Sequence, residues 1–153
     1  MSTQLTRVIM VLGVLLVLGF VNWSIFAKER IKSGGETILL ELAPVDPRSL
    51  MQGDYMALRF ALANDISTEA SGTAPLAVDE KGVATFSRSP ETAELRIRYR
   101  IRNGQVWLGT NAYFFEEGSA ERFNGARYGE FRLDPDTGEA VLTGLRDAKF
   151  GKL

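Results

Sequence analysis

The chain has 153 residues, room for one domain and an appendage, and its 45% apolar content is enough to bury a core. A net charge of −1 supplies no global field toward nucleic acid. Cysteine and histidine are both missing, which excludes disulfides, thiolate or imidazole metal sites, and Ser-His-Asp or Cys-His machinery. Carboxylates, Lys, Ser, Thr and Tyr remain for acid–base or nucleophilic work, and no cofactor is expected.

Residues 1–32 read as a transmembrane anchor with its flanks. Val8 to Ala27 is apolar except for Asn22 and Ser24. About twenty helical residues span roughly 30 Å, the hydrocarbon thickness of a bilayer, so residues 8–27 are expected to partner with lipid. Trp23 lies near the far boundary, where indoles favour the headgroup zone. The stretch is longer than a usual signal-peptide core, and Ile25-Phe26-Ala27 is a poor cleavage site, so an uncleaved anchor is expected. Gly13 and Gly19 do not have GxxxG spacing. Arg7 flanks one end and Lys28, Arg30 and Lys32 the other, and this charge count favours a cytoplasmic domain. A very short N-terminal tail retained inside, the usual single-anchor layout, favours the opposite, and an extracytoplasmic domain is the expectation.

Residues 33–153 form the expected domain. Ser33-Gly34-Gly35 reads as a flexible joint, and Glu36 to Ala43 as a strand with Ile38, Leu40 and Leu42 on one face. Leu39, on the other face, points to cover on both sides. Asp46-Pro47 reads as a cap and first position of a short helical turn from Pro47 to Gln52, with Gly53 allowing a reversal. Tyr55 to Ala63 is the second strand, with Met56, Leu58, Phe60 and Leu62 inward. A loop follows, with a short helix expected around Asn64 to Glu69.

Three hairpins come next. Leu76–Val78 and Val83–Ser87 flank Asp79-Glu80-Lys81-Gly82. Leu95 to Arg102 alternates Leu95, Ile97, Tyr99 and Ile101 with Arg96, Arg98, Arg100 and Arg102, the period of a half-buried strand. Asn103-Gly104 then closes a type I′ hairpin that sets Ile101 opposite Val106, Arg100 opposite Trp107 and Tyr99 opposite Leu108, with Trp107 stacked on Arg100. Ser119 to Asn124 suits a helical turn. Gly129–Leu133 and Ala140–Thr143 flank Asp134-Pro135-Asp136-Thr137-Gly138, the third hairpin. Leu145 to Leu153 is a basic tail with no assignable order. Short strands and no long helix after the anchor predict an all-β domain, an antiparallel barrel or a two-sheet sandwich with short helical turns. The barrel is preferred because several strands look covered on both faces.

Gly53-Asp54-Tyr55-Met56-Ala57-Leu58-Arg59-Phe60 resembles the signature of the GDYXXLXY family of membrane-anchored bacterial proteins. The lead-in Pro44 to Arg48, the segment Tyr113 to Gly118 and Gly138 to Leu142 are similar to the family's pattern as well. The resemblance makes Asp46, Pro47, Arg48, Gly53, Asp54, Tyr55, Leu58 and Phe60 the motif residues, though Phe60 stands where the motif ends in Tyr. It implies no reaction. It does imply a domain outside the bacterial inner membrane and a multi-spanning membrane protein as partner.

Asp54 suits a turn-capping role better than a catalytic one. The arginine row, with Trp107, Tyr113 and Glu117, is either a solvated face or a docking surface for lipid phosphates or an acidic partner. Asp134-x-Asp136-x-Gly138 resembles the start of a calcium loop but lacks the remaining ligands, so a turn is expected and no metal. Leu50-x-x-Gly53-Asp54 matches the end of the signal-peptidase pattern, but its nucleophile position falls on Val45. A non-catalytic interaction or accessory module of an envelope complex is therefore the expectation. The alternative is a membrane-anchored hydrolase using Ser49 with a lysine, or carboxylates.

Overall fold

The computed structural model describes residues 3–43, 51–52 and 55–153. One α-helix, α1, runs from Thr3 to Gly34. Its large apolar side chains from Leu5 to Phe26 are exposed, as with Leu16 at 74% and Phe20 at 65%, and it is long and apolar enough to cross a membrane. Two polar side chains along it bond backwards to its own carbonyls, Asn22 Nδ2 to Leu18 O at 2.9 Å and Ser33 Oγ to Glu29 O at 2.9 Å.

The expected flexible joint is absent. The helix continues through Ser33 and Gly34, and Gly35 N–H closes its last turn on Ile31 O at 2.8 Å. Ile31 and Gly35 are buried, and Arg132 Nη1 donates to Gly35 O at 3.0 Å. A Cβ on Gly35 would sit 2.6 Å from Ile31 O and 2.9 Å from Leu133 O. This glycine is required for close approach of two backbones rather than for freedom.

The domain then runs β1 (Glu36–Glu41), β2 (Met51–Gln52), β3 (Tyr55–Ala57), β4 (Gly72–Val78), β5 (Ala84–Phe86), β6 (Leu95–Arg102), β7 (Gln105–Trp107), β8 (Ala112–Phe114), β9 (Ala126–Leu133) and β10 (Ala140–Asp147). Short 3-10 turns lie at Ala61–Asp65 and Ala120–Phe123. The strands form three antiparallel sheets, ordered β1-β9-β10, β2-β3-β8 and β5-β4-β6-β7. At its middle β1 meets the start of the third sheet through a parallel Leu39–Val83 bridge, and just past its end Leu42 bridges to Phe60. The sheets thereby curl round a single core drawn from all of them, with Ile38, Leu40, Ile97, Leu108, Phe131, Leu133 and Leu145 at its centre. This is the expected all-β domain behind an apolar helix. Cover on both faces is real at Ile38-Leu39-Leu40, Ala74-Pro75-Leu76 and Gly129-Glu130-Phe131.

Several expectations need correction. Met51–Gln52 is a strand paired with Met56 and Tyr55, where the end of a helical turn was predicted. The second strand stops at Ala57, although Met56, Leu58, Phe60 and Leu62 are all buried as expected. Its backbone continues by separate bonds, Leu58 N–H to Asn111 O at 2.7 Å and Ala43 N–H to Arg59 O at 2.8 Å. The short helix falls at Ala61–Asp65, earlier than Asn64–Glu69. The tail, on whose order the sequence carried no expectation, is ordered: Leu153 N–H bonds to Leu145 O at 3.1 Å, and Asp147 Oδ1 accepts the amides of Lys149 and Gly151, each at 2.8 Å.

Candidate functional site

β6 is the source of the site. Its inward residues Leu95 and Ile97 are buried, which leaves all four arginines exposed on the opposite face. Asn103 and Gly104 adopt φ of 50° and 70°, the left-handed pair a type I′ turn demands, and fold β7 back in the expected register. Arg100 lies opposite Trp107 as predicted, but the guanidinium over the indole is that of Arg102, 5.1 Å from its centroid. The diagonal neighbour reaches the ring because long side chains lean along a twisted ladder. Tyr99 and Leu108 do not pair, since β7 ends at Trp107.

The β9–β10 turn closes one side. Asp134 Oδ1 accepts from the amides of Asp136 and Thr137, at 3.0 and 3.4 Å, and Gly138 N–H returns to Asp134 O at 2.8 Å. Partial burial opposes ionisation of Asp134, but these hydrogen bonds and the Arg30 charge outweigh it and lower its pKa. Gly138, at φ 71°, lets the turn press on β6, with Arg98 N–H bonded to Gly138 O at 2.7 Å. The turn presents Glu139 to the end of the apolar run of α1, where Lys28 Nζ meets Glu139 Oε2 at 2.6 Å and Arg98 Nη1 lies 3.5 Å from Glu139 Oε1. The Lys28 hydrogen bond, together with the Lys28, Arg98 and Arg100 charges, overcomes partial burial and lowers the Glu139 pKa.

Together these elements enclose a groove of about 360 Å³. Lys28, Arg98, Arg100, Arg102 and Trp107 form its charged and aromatic side, and Ala140 to Leu142 its apolar side. Four cations face one carboxylate there. Among the described residues no carboxylate lies within ion-pair distance of Arg100 or Arg102. A second cleft, against Trp23, Phe26 and Arg30, is lined by the acidic turn itself.

Four of the sequence-predicted surface residues, Arg98, Arg100, Arg102 and Trp107, thus share one groove. Arg96 is apart, donating to Pro90 O at 2.9 Å. Tyr113 packs edge-on against Phe123, at 5.3 Å, and Glu117 is exposed in the turn after β8. Of the motif, Leu58 and Phe60 are core, each 2% exposed, with Phe60 edge-on to Phe131 at 5.2 Å. Tyr55 pairs with Phe114 at 5.7 Å on the sheet that carries the signature. Asp46, Pro47, Arg48, Gly53 and Asp54 lie outside the described residues, as does Ser49. Lys81 stands over the Phe150 ring at 5.6 Å and Lys149 is exposed on the tail. Among the described residues no cluster of three or more carboxylates could hold a metal. The Asp134–Asp136 segment is a hairpin turn, as expected.

Sequence reasoning missed Lys28 and Glu139 as site residues, because their separation of 111 positions leaves no local signal. It also missed the buried ion pair of Glu130 and Arg146, in which Thr143 Oγ1 donates to Glu130 O at 3.2 Å and Arg146 Nη1 to Phe150 O at 2.8 Å.

A family model described as GDYXXLXY protein matches residues 17–145. Comparison with curated proteins and with solved structures gives no match.

Proposed function

The chain belongs to the GDYXXLXY family, and from that premise we propose that it is a single-pass inner-membrane protein whose β domain stands outside the cytoplasm as a non-catalytic accessory module of a membrane complex. The observation that carries this reading is an exposed aromatic ring packed against the family signature. Phe114 is 74% exposed, and among the described residues beyond the helix only Val78, at 39%, is another large apolar side chain so exposed. An exposed aromatic on a rigid strand is the kind of anchor that dominates protein interfaces. Tyr55, a signature residue, packs against it, so the signature both builds the core and shapes this surface.

The proposed partner is a multi-spanning membrane protein held next to the anchor. The test is purification of the full chain in mild detergent, with mass spectrometry of what accompanies it. Wild type should retain such a partner and Phe114→Ser should lose it at unchanged melting temperature. Equal recovery with both chains would reject this surface. Alkaline phosphatase fused after Leu153 should be active and a fluorescent protein there dark. The reverse pattern would place the domain in the cytoplasm.

A further inference from the structure

We propose that the groove between β6–β7 and the end of the anchor binds the phosphodiester headgroup of an anionic phospholipid from the leaflet where the helix emerges. The inference rests on the helix crossing a bilayer, but not on which side the domain stands.

Position comes first. Lys28 is the first charged residue after the apolar run Val8 to Ala27, so it leaves the hydrocarbon at the level of the lipid phosphates. Its bond to Glu139 fixes the groove at that depth, because Glu139 lines the groove too. The helix end and the domain are also joined through Gly35, Ile31 and Arg132, so the groove cannot drift far from the bilayer surface.

Charge comes second. Glu139 is engaged by Lys28 and Arg98, which leaves the Arg100 and Arg102 guanidiniums without an acidic partner among the described residues. Guanidinium forks match phosphate oxygens two at a time and are less tightly hydrated than ammonium groups. Trp107, half-buried beneath Arg102, supplies the amphipathic ring that suits the headgroup zone, and Ala140 to Leu142 offer an apolar wall to the adjoining glycerol and acyl carbons. The Asp134 and Asp136 carboxylates line the neighbouring cleft with Arg30, not this groove. A free phosphate would use the arginines alone. An acidic protein would need no apolar wall beside the arginines. The combination fits a lipid.

The full chain, reconstituted in nanodiscs of phosphatidylcholine mixed with phosphatidylglycerol, is washed stepwise with detergent. The lipids that remain bound are then counted by mass spectrometry. Wild type should retain phosphatidylglycerol in preference. The Arg100→Gln, Arg102→Gln double variant should lower that preference roughly 25-fold, about five-fold for each arginine, as expected for about 1 kcal/mol per basic residue at an anionic surface. Arg88→Gln, an exposed arginine elsewhere, should leave it unchanged, and Arg100→Lys should retain part of it. Three results would overturn the proposal: no preference in wild type, equal loss with Arg88→Gln, or displacement of the lipid by inorganic phosphate or an acidic peptide at equal charge concentration.

Discussion

Lys28, just past the apolar run of α1, and Glu139, just before β10, meet at 2.6 Å across 111 residues of chain. The contact ties the last β-hairpin to the point where the helix leaves its apolar run. It is half-exposed on the lysine side, at 54%, so its direct contribution is modest, about 0.2–1 kcal/mol. Its larger effect is positional, since it holds the hairpin turn and Arg98 against the helix.

The pair has a pH signature. The Glu139 pKa is lower in the folded chain than its ordinary value of 4.5. Its stabilising contribution is therefore complete above the ordinary value and fades as pH falls through the lower folded one. Melting temperatures of the full chain in detergent, taken down an acid series, should show wild type losing its advantage over Glu139→Gln in that window. Parallel curves for the two chains would show that the contact adds nothing to stability.

Gly35→Ala should destabilise the chain by about 1–3 kcal/mol, because the added carbon would press on two backbone carbonyls that have no rotamer to relax into. Gly34→Ala meets open space and should be neutral or slightly stabilising within the helix. Equal melting temperatures for these two variants would contradict the tight junction.

The Glu130–Arg146 pair is inside the β9–β10 layer, with side chains 11% and 23% exposed. Arg146→Met alone strands the carboxylate and should cost about 3–5 kcal/mol. Adding Glu130→Met should recover part of that loss, since the uncompensated charge goes with it. Chemical denaturation of wild type, each single variant and the double variant measures the coupling, and strictly additive losses would show that the two charges do not act as a pair.

Phe60 offers a test of the signature itself. Phe60→Ala should cost about 3–5 kcal/mol as it opens a cavity beside Phe131. Phe60→Tyr, the residue with which the motif ends, should cost about 1–3 kcal/mol if its hydroxyl enters the core unpaired. An unchanged melting temperature for Phe60→Tyr would mean that the hydroxyl reaches a polar partner.

What the sequence disclosed follows from which interactions are local. Leu95 to Arg102 alternates because one face is buried and the other is wet, and its hairpin is written in Asn103-Gly104, so strand, turn and register were all legible. Gly72 to Pro75 carries no such alternation: buried Ala74 and Pro75 adjoin each other, and their strand is defined by its pairing with β6. The tail escaped notice because its order comes from an Asp147 side chain capping nearby amides and from Tyr128 stacked on Phe150 at 4.9 Å. At Ser33-Gly34-Gly35 composition gave the wrong answer, since a glycine read alone cannot tell freedom from crowding. The arginine row was visible, but not that Lys28 and Glu139 would turn it into a groove.

In the proposed membrane setting, the closed junction at Gly35 also bears on how the protein would respond to the bilayer. A helix whose apolar length exceeds the local hydrocarbon thickness tilts to fit. With a slack linker that tilt would stop at the headgroups. Here Ile31, Gly35 and Arg132 couple the helix axis to the first sheet, so the domain must lean with it. A thinner bilayer would then swing Phe114 and the arginine groove together through the same angle, making membrane thickness a variable that the folded domain can report.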